Sequence, residues 1–539
     1  MKLRADEIVI AVFVFLFLFY GLGNLWGHQL AHPFPYSYQA SDTFQHQVRA
    51  ESIKVMGSYR MEAPWIVAGY TDNVGFYPPI LYHLGVALSY GSGLETYDST
   101  YLIVFLFALL ASLAVYVIAK RYTAHAVLVL PFCLLLFSIA SLVGFTWGSW
   151  PSLLSQAFLL LFAWSILTKQ RFWISAIALS AIALTHTSEL IFVVLFWGAL
   201  IIYRLFKKEF RKEDWIEAVK TGVLFLLISL WYLIIFYFTW AKAQPFRFSV
   251  VADWGNTPVV SLFSLGILSL LFILGMGISV FKKEWREVGI LSLILLLAGF
   301  TNYIGFDVRA FQLRQFWPVY LGIAAALGLG YLLSLVKLPK IASSGIAVLL
   351  AIVIVFGAPG LPKMAKAESQ GIMNPYHWEM FEALKGLPEG RAYFFYGDIY
   401  GQNAVLRNGQ HVPYMVLQQD YIAAVQNATV KRQYVTRLLG DHHGVYYAYR
   451  KGLFDFGYRA LEVPKDEYHK PMDLCSFEYV ILDKVSNQPM FAQYNQIAAQ
   501  LLLKNPWITP VFSNDAAMIL QNSEPGRDCL PQEGVYVGS

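Results

Sequence analysis

Residues 8–54 read IVIAVFVFLFLFYGLGNLWGHQLAHPFPYSYQASDTFQHQVRAESIK, and this stretch decides the architecture of the chain. The apolar run Ile8–Trp26 is long enough to cross a bilayer, and no small-residue cleavage site interrupts it. We therefore predict a first transmembrane helix that also serves as an uncleaved anchor. A polar segment follows at once and opens a long loop that extends to residue 98.

The rest of the chain repeats the apolar pattern. Of its 539 residues, 57% are hydrophobic and only 14% are charged. A soluble protein would carry about 25% charged residues, so we predict a polytopic α-helical membrane protein with about eleven transmembrane helices. The predicted spans are residues 8–26, 99–119, 125–144, 151–168, 172–187, 189–206, 218–240, 258–281, 287–305, 315–336 and 341–359.

Lysine and arginine residues gather in alternate connections between these spans. Cytoplasmic loops of membrane proteins carry this excess, so the pattern places the N-terminus in the cytoplasm and the protein in the cell membrane. With an odd number of spans, loop 27–98 and residues 360–539 both lie outside. The basic residues assigned to the cytoplasmic side are Lys2, Arg4, Lys120, Arg121, Lys169, Arg171, Arg204, Lys207, Lys208, Arg211, Lys212, Lys282, Lys283, Arg286, Lys337 and Lys340.

The tail, residues 360–539, is large enough for one domain and alternates predicted strands with predicted helices. We therefore predict two domains, a transmembrane module in residues 1–359, which includes the outer loop 27–98, and an extracytoplasmic α/β domain in residues 360–539. The predicted strands are 391–396, 444–449 and 477–482, and the predicted helices are 378–384, 421–438 and 491–503.

Two of the three cysteines, Cys475 and Cys529, lie in this tail. An outside location would favour a disulfide between them, but two unpaired thiols agree with the sequence equally well. The third, Cys133, falls in an apolar run and is typical of a small core residue. Asn427-Ala-Thr429 has the pattern of an N-glycosylation acceptor, which agrees with an outside location.

The first loop carries candidate chemistry near its start. Ser41 is a natural N-cap, and the spacing of Asp42, His46 and Arg49 places them on one face of a helix. A carboxylate at a helix start, with a histidine and an arginine one and two turns later, is a reasonable substrate site. A capped surface helix with solvated charges agrees with the same periodicity.

Other polar residues stand at the outer ends of predicted spans. Tyr77-Pro78-Pro79 predicts a rigid turn before a stretch that contains His83, and Asp72 precedes that turn. His186 and Glu189 occupy a junction between two spans, where buried polar groups are costly and usually functional. A hydrogen-bonded turn between two helices explains this junction equally well.

Arg309 and Arg314 lie in an outer loop and therefore break the charge rule. Arginine binds phosphate bidentately and keeps its charge when it is partly desolvated. One interpretation is that these residues pair with an anionic lipid phosphate. The alternative is pairing with Asp307 or with lipid head groups in general.

The layout resembles the GT-C superfamily of membrane glycosyltransferases, which take a sugar from a polyprenyl-phosphate carrier. Asp42-x-x-x-His46-x-x-Arg49 resembles the acidic motif of oligosaccharyltransferase catalytic subunits. WGSWP at 147–151 and THTSE at 185–189 are also similar to motifs of the superfamily. The tail lacks the WWDYG-type motif of oligosaccharyltransferases, which argues against transfer of a whole oligosaccharide to asparagine.

The resemblance implies an inverting transfer of a sugar from a polyprenyl-phosphate donor to a glycan, lipid or protein acceptor on the outer face of the membrane. We hypothesise that Asp42 is the general base and that Arg314, or else Arg309, binds the donor phosphate. Asp72 is the best candidate for a second catalytic acid, with Glu51 and Glu189 behind it. Some members of the superfamily need a divalent metal such as Mg²⁺ or Mn²⁺ and others do not. The candidate substrate-binding residues are His46, Arg49, Tyr77, His83, His186 and Glu189.

Two other functions compete with this one. A flippase or transporter of lipid-linked glycans would need polar or broken helices near the bilayer midplane, whereas the central spans are nearly free of charge. A non-catalytic GT-C-fold assembly protein would keep the fold without the activity. No nucleotide-binding glycine-rich pattern occurs, and we expect membrane lipids, not nucleic acid, as partners.

Overall fold

The computed structural model describes residues 5–28, 30, 32–35, 41–59, 62–66, 77–237, 257–305, 310–357, 375–395, 409–437, 445–448, 459–462, 469–484 and 489–531. The chain packs as two compact units. The first unit comprises Met1–Ala31, Tyr77–Leu94 and Asp98–Ala367. The second comprises His32–Phe76, Glu95–Tyr97 and Glu368–Ser539, so most of the first loop packs with the tail. The predicted domain boundary at residue 359 lies outside the described residues.

The described part of the first unit is helical. Long apolar runs form helices here because a helix satisfies every backbone hydrogen bond internally, as a bilayer requires. Its helices are α1 (Ala5–Leu18, continued by a π-helical segment Phe19–Trp26), α3 (Ile80–Ser92), α4 (Thr96–Lys120), α5 (Leu130–Cys133), α6 (Ile139–Thr146), α7 (Trp150–Leu167), α8 (Phe172–Ala183), α9 (Leu190–Phe206), α10 (Lys212–Phe236), α11 (Pro258–Ser264), α12 (Ile267–Phe281), α13 (Arg286–Ala298), α14 (Ala310–Gln315), α15 (Trp317–Leu335) and α16 (Lys340–Gly357). Helix α2 (Ser41–Met56) belongs to the second unit.

Six helices in the described part are long and apolar enough to cross a membrane, and the number is eight if each of two bent helix pairs is one span. The protein is therefore a multi-pass membrane protein. Each of the eleven predicted spans coincides with helical residues, but α8 and α13 are shorter than the six. The six are Ala5–Trp26, Thr96–Lys120, Trp150–Leu167, Thr187–Phe206, Lys212–Phe236 and Trp317–Leu335.

Two predicted spans are not straight helices. Span 258–281 divides into α11 and α12, which meet at an angle of 100°. Gly266 lies at the break with φ 53° and ψ −121°, a conformation that only glycine adopts without strain. Span 125–144 also bends, by 65°, between residues 137 and 140. Hydropathy alone shows neither break, because the apolar run continues through both.

Helices α12 and α15 cross with their backbones in contact. A Cβ atom built on Gly275 of α12 would lie 1.9 Å from the carbonyl oxygen of Ala324 in α15. Small residues permit this approach in membrane proteins, where packing rather than water exclusion holds helices together. Gly275 is therefore required for this helix pair.

The described part of the second unit, apart from α2, is an α/β domain, as the sequence predicts. Its seven-stranded sheet has the order β6-β3-β2-β1-β7-β9-β8, and a separate sheet pairs β4 with β5. Strand β1 pairs in parallel with β2 and β7, and the other pairs are antiparallel. The elements are α17 (Pro375–Lys385), β1 (Arg391–Phe395), β2 (Val412–Met415), α18 (Gln418–Gln426), β3 (Arg432–Arg437), β4 (Val445–Ala448), β5 (Arg459–Glu462), β6 (His469–Asp473), β7 (Tyr479–Asp483), α19 (Pro489–Leu502), β8 (Ile508–Ser513) and β9 (Ala517–Asn522).

One predicted element of the tail is wrong in its second half. Helix 421–438 was expected, but α18 ends at Gln426 and strand β3 follows. Ala428 has φ 53°, which turns the backbone out of the helix. Strand β3 then pairs with β6 from Arg432 onward. Non-local strand pairing thus overrides the local helical pattern.

Cys475 and Cys529 form a disulfide with their Cα atoms 5.6 Å apart. Both residues are buried in the core of the tail, and Cys133 is a buried free thiol. The bond connects the segment after β6 to the segment after β9. The sequence left open a disulfide or two unpaired thiols, and the structure shows the disulfide.

Candidate functional site

Helix α2 of the first loop presents Asp42 in its first turn, with the side chain exposed. The ten residues that follow, 43–52, are all buried. His46 is 6% exposed and Arg49 is 5% exposed. The helix is therefore not a surface helix with solvated charges, and Asp42 differs from its predicted partners in being open to solvent.

An ion pair holds the middle of α2. The guanidinium of Arg49 donates a hydrogen bond to the carboxylate of Glu62, and both side chains are buried. Ser52 Oγ accepts a hydrogen bond of 2.8 Å from the backbone N–H of Ala63. The segment after α2 is thus folded back onto the helix, and the Arg49 charge is compensated.

A second set of contacts centres on Glu51. Its carboxylate accepts hydrogen bonds from Thr96 Oγ1 at 2.5 Å and from Gln410 Nε2 at 3.2 Å. Gln47 Nε2 donates to the same threonine oxygen at 3.0 Å. Side chains from two other segments of the second unit therefore contact α2 and fix the helix that carries Asp42.

In the first unit, two predicted motifs meet. The backbone N–H of Ile80, directly after the Tyr77-Pro78-Pro79 turn, donates to the carbonyl of Leu184 at 2.9 Å. Leu184 directly precedes the THTSE segment at 185–189. Tyr77 is half-buried with its ring 6.4 Å from that of Tyr82. The sequence separates these motifs by about a hundred residues, and the fold makes them neighbours.

The predicted His83 lies on α3 and is exposed. Its Nδ1 atom is 2.9 Å from the carbonyl oxygen of Pro79, one turn earlier. The contact therefore lies within the first turn of α3.

Glu189 is the centre of a buried hydrogen-bond network and is 2% exposed. Its carboxylate contacts His186 Nδ1 and accepts a hydrogen bond from Ser152 Oγ. Ser188 Oγ donates to it at 3.3 Å. The network extends to the surface, because His186 is half-buried and Ser188 is exposed.

The network continues inward from Ser152 through Gln156. Gln156 Nε2 donates to Ser152 Oγ at 2.9 Å and to the backbone carbonyl of Gln312 at 3.2 Å. This second bond joins α7 to α14. Gln156, Gln312 and Gln315 are buried, and among the described residues none of their Oε1 atoms has a hydrogen-bond partner. An unsatisfied buried acceptor of this kind costs about 1–3 kcal/mol.

Arg314 lies between Gln312 and Gln315 on α14 and is 2% exposed. Its NH1 group donates to the carbonyl of Gly299 at 2.8 Å and to Asn302 Oδ1 at 3.2 Å. These bonds fix the orientation of the guanidinium. Ser152 and Gln156 therefore connect the Glu189 network to the backbone of α14, the helix that carries Arg314.

Asp72 and Arg309, the other predicted catalytic and phosphate-binding residues, lie outside the described residues. The roles predicted for Asp42, His46, Arg49, Tyr77, His83, His186, Glu189 and Arg314 stay predictions.

Sequence reasoning missed the three glutamines and a buried pair at the ends of the first loop. His28 Nδ1 lies 3.0 Å from Asp98 Oδ1, and the His28 ring lies 5.5 Å from that of Trp26. Both partners of this pair are buried. Glutamines inside apolar runs were a usable signal, because an uncharged amide at that depth still needs hydrogen-bond partners.

One group of possible metal ligands occurs among the described residues. Ligand atoms of Asp473, Cys475 and Asp528 lie within 4.8 Å of one another. The Cys475 sulfur is bonded to Cys529 and cannot act as a thiolate ligand. The carboxylate of Asp528 pairs with Lys431 Nζ at 2.5 Å. This group therefore does not fit a metal ion.

Known structures share the architecture of the chain. ArnT from Cupriavidus metallidurans in the apo state aligns over 96% of this chain and 98% of its own, with a TM-score of 0.53 and 14% identity. The same protein bound to undecaprenyl phosphate aligns over 95% and 97%, with a TM-score of 0.51 and 12% identity. The chain has the GT-C fold.

The archaeal oligosaccharyltransferase AglB from Archaeoglobus fulgidus, in complex with an inhibitory peptide and a dolichol-phosphate, aligns less well. It covers 93% of this chain and 81% of its own at 12% identity, and the TM-score is 0.49. No protein-family model matches the chain, and no curated protein sequence does. At these identities the likeness concerns the GT-C fold alone.

Proposed function

We propose that this chain is a membrane glycosyltransferase that moves a sugar from a polyprenyl-phosphate donor to an acceptor on the outer face of the membrane. The observation that carries the proposal is the GT-C fold along nearly the whole chain. ArnT, which shares this fold, binds undecaprenyl phosphate. The burial of Glu189 and of Arg314 supports it, because buried ionisable groups in a membrane protein usually serve a function.

Asp42 is the proposed general base. Its exposed carboxylate takes the proton from the acceptor hydroxyl, which requires an approach of about 3 Å. The acceptor oxygen then forms a bond to the anomeric carbon as the bond to the phosphate oxygen breaks, with inversion, and polyprenyl phosphate leaves. The contacts of Arg49 and Glu51 position the helix, so we assign these two residues to holding Asp42 in place.

Arg314 is the proposed ligand of the donor phosphate, with Arg309 as a second candidate. A guanidinium stabilises the negative charge that develops on the leaving phosphate and does so most strongly where water is excluded. The Gly299 carbonyl and Asn302 hold the Arg314 guanidinium in a fixed orientation. Such fixed charge needs no reorganisation during the reaction.

The Cys475–Cys529 disulfide supports an outside location for the tail, because structural disulfides persist in oxidising compartments. The alternating basic loops of the sequence support the same orientation. The acceptor in this proposal is a glycan, lipid or protein outside the cytoplasm.

The test is a transfer assay on the purified full chain in lipid nanodiscs, with undecaprenyl-phosphate-linked hexoses and pentoses as donors. We expect Asp42→Asn to lower kcat by about a hundredfold or more, as loss of a general base does. Asp515→Asn removes an exposed aspartate of the same unit and is the matched control; it should leave kcat unchanged. Full activity of the Asp42 variant would refute the base assignment. Repeating the assay with EDTA measures any need for Mg²⁺ or Mn²⁺.

A further inference from the structure

Three helices of the first unit end in a lysine with a left-handed backbone. Lys169 follows α7 with φ 54°, Lys208 follows α9 with φ 55°, and Lys337 follows α15 with φ 52°. This conformation brings Cβ close to the following carbonyl oxygen, so a residue with a side chain is strained there and glycine is the usual choice. We call these residues the three end lysines. Their side chains therefore need a reason that the backbone does not give.

The three helix ends share one pattern of backbone hydrogen bonds. The N–H of each end lysine donates to the carbonyl three residues earlier, and the N–H of the next residue donates to the carbonyl five residues earlier. The second bond measures 2.8 Å for Gln170, 2.9 Å for Glu209 and 3.2 Å for Leu338. These bonds involve the main chain only and would form equally with glycine. The lysine side chain is therefore not needed to end the helix.

The other side of the first unit uses glycine for the same conformation. Gly93 precedes α4 with φ 76°, and Gly148 precedes α7 with φ 81°. The rings of Tyr101 and Trp150, near the starts of these two helices, are 6.0 Å apart, so both starts lie on one side. Helix α7 has 18 residues, which separates its two ends by about 27 Å. Glycine and lysine thus occupy opposite ends of the same helix.

Contacts place the three end lysines on one side of the unit. Arg204 of α9 pairs with Glu287 of α13 at 2.6 Å, and Lys282, just before α13, lies 4.7 Å from the ring of Tyr331 in α15. The ends of α9 and α15 are therefore joined through the start of α13. Thr221 Oγ1 of α10 donates to the first carbonyl of α8 at 3.4 Å, which links the chain after α9 to the chain after α7.

The end lysines stand at the border of the apolar surface. All three are exposed, and among the described residues none of their ammonium groups has a hydrogen-bond or ion-pair partner. Phe206 is 84% exposed, Val336 66% and Trp173 43%, and each lies within four residues of an end lysine. Apolar side chains so exposed on a multi-pass membrane protein face lipid. The ammonium groups therefore lie at the level where lysine side chains reach the head groups.

The local charge defines the partner. Segments 168–171 and 336–340 contain no acidic residue, so the charges of Lys169 and Lys337 are not compensated within them. Beside Lys208, the carboxylate of Glu209 is occupied by Lys283 at 2.9 Å. Uncompensated ammonium groups at this level attract anionic head groups.

We propose that the three end lysines bind the phosphate groups of anionic phospholipids in the leaflet on their side of the membrane. The alternating basic loops of the sequence predict that this is the cytoplasmic leaflet. The choice of lysine over glycine on this side alone is the observation that carries the inference. The inference does not depend on the proposed sugar transfer.

The test uses the purified full chain in nanodiscs of phosphatidylcholine, alone or mixed with phosphatidylglycerol, and measures retained phosphatidylglycerol by native mass spectrometry. Lys169→Gly, Lys208→Gly and Lys337→Gly each keep the left-handed backbone and remove one charge. We expect each change to weaken one phosphatidylglycerol site about fivefold, the factor that corresponds to one lysine at an anionic surface.

Two control variants separate charge from backbone strain. Lys169→Arg keeps the charge and should keep the phosphatidylglycerol site. Ala428→Gly relieves the same strain in the tail, where Ala428 has φ 53°, and changes no charge; it should leave phosphatidylglycerol binding unchanged. Equal retention of phosphatidylglycerol by the wild type and by the triple glycine variant would overturn the inference.

A second readout excludes a purely structural role. A lysine near the end of a helix can also stabilise it by interacting with the last carbonyl groups. That role operates in any lipid, so it predicts that the triple glycine variant unfolds at a lower temperature in pure phosphatidylcholine. We expect instead an unchanged or higher unfolding temperature there, because the strain is gone. A lower temperature with undiminished phosphatidylglycerol binding would contradict the proposal, as would equal stabilisation of the wild type by inorganic phosphate in pure phosphatidylcholine.

Discussion

Removing the Cys475–Cys529 disulfide should destabilise the tail by an amount that its loop length fixes. The two cysteines are 54 residues apart in sequence. In the chain-entropy model, a closed loop of this size restricts the unfolded state by about 4 kcal/mol at 25 °C. For a unit of this size, each kcal/mol lowers the unfolding midpoint by about 2–4 °C. We therefore expect Cys475→Ser to lower the midpoint of the tail by roughly 8–16 °C.

The assay is limited proteolysis of the full chain in nanodiscs over a temperature series, with the tail followed by its fragments. Cys133→Ala is the matched control, because Cys133 is a buried free thiol of the other unit; it should leave the tail midpoint unchanged. Thiol counting checks the premise, since the unfolded wild type should expose one reactive thiol before reduction and three after it. A shift below about 2 °C for Cys475→Ser would contradict the loop-closure reasoning.

Three further changes test the packing and the electrostatics. Gly275→Ala should lower the unfolding temperature of the helical unit, because overpacking costs about 1–3 kcal/mol. Gly277→Ala is the control and should not lower it, because nothing lies within 4 Å of a Cβ built there. Equal unfolding temperatures for the two variants would refute the close crossing of α12 and α15. Arg49→Met should break the buried ion pair with Glu62 and destabilise the second unit by about 3–5 kcal/mol. A double variant that also carries Glu62→Gln should recover part of this loss in the same proteolysis assay. Partial burial raises the pKa of Glu478, but hydrogen bonds from Arg391 lower it by more, so the pKa lies below the ordinary 4.5. The stabilisation from this ion pair is present above pH 4.5 and is lost as the pH falls through the lowered pKa. In a thermal series, Glu478→Gln should therefore unfold at a lower temperature than the wild type at pH 7 and at the same temperature at the lowest pH.

The helical part of the fold was predictable because apolar runs are long and local. Each predicted span from Ile8 to residue 359 coincides with helical residues, since a bilayer leaves the backbone little choice. The break at Gly266 was not predictable from hydropathy, because a single glycine does not change the mean of the run. In the tail, strand β3 forms where a helix was predicted, because it pairs with β6. A local sequence pattern does not show this pairing, since β6 lies far away in sequence.

The candidate site was predictable in its residue types but not in its connections. Polar residues at the ends of predicted spans, such as His186, Glu189 and Arg314, were visible because they interrupt apolar sequence. The contact that joins α7 to α14 runs from Gln156 to a backbone carbonyl 156 residues later. Side chains that meet through tertiary folding carry no periodic signal, and Gln156 was therefore overlooked.

The partners of the first-loop helix were invisible for the same reason. Glu51 contacts Thr96 and Gln410, and neither is marked by any motif. The sequence grouped the loop with the transmembrane module, whereas α2 packs with the tail. The soluble part of the protein thus holds the helix that presents Asp42.

The central claim is that this GT-C-fold chain cleaves a polyprenyl-phosphate sugar. The most direct measurement is release of free undecaprenyl phosphate by the purified wild type in nanodiscs, quantified by mass spectrometry across a panel of undecaprenyl-phosphate-linked hexoses and pentoses with mixed glycan and lipid acceptors. We predict acceptor-dependent release from at least one donor, with the sugar recovered on the acceptor in the inverted configuration. Absence of release from every donor by protein that is folded and binds undecaprenyl phosphate would contradict it.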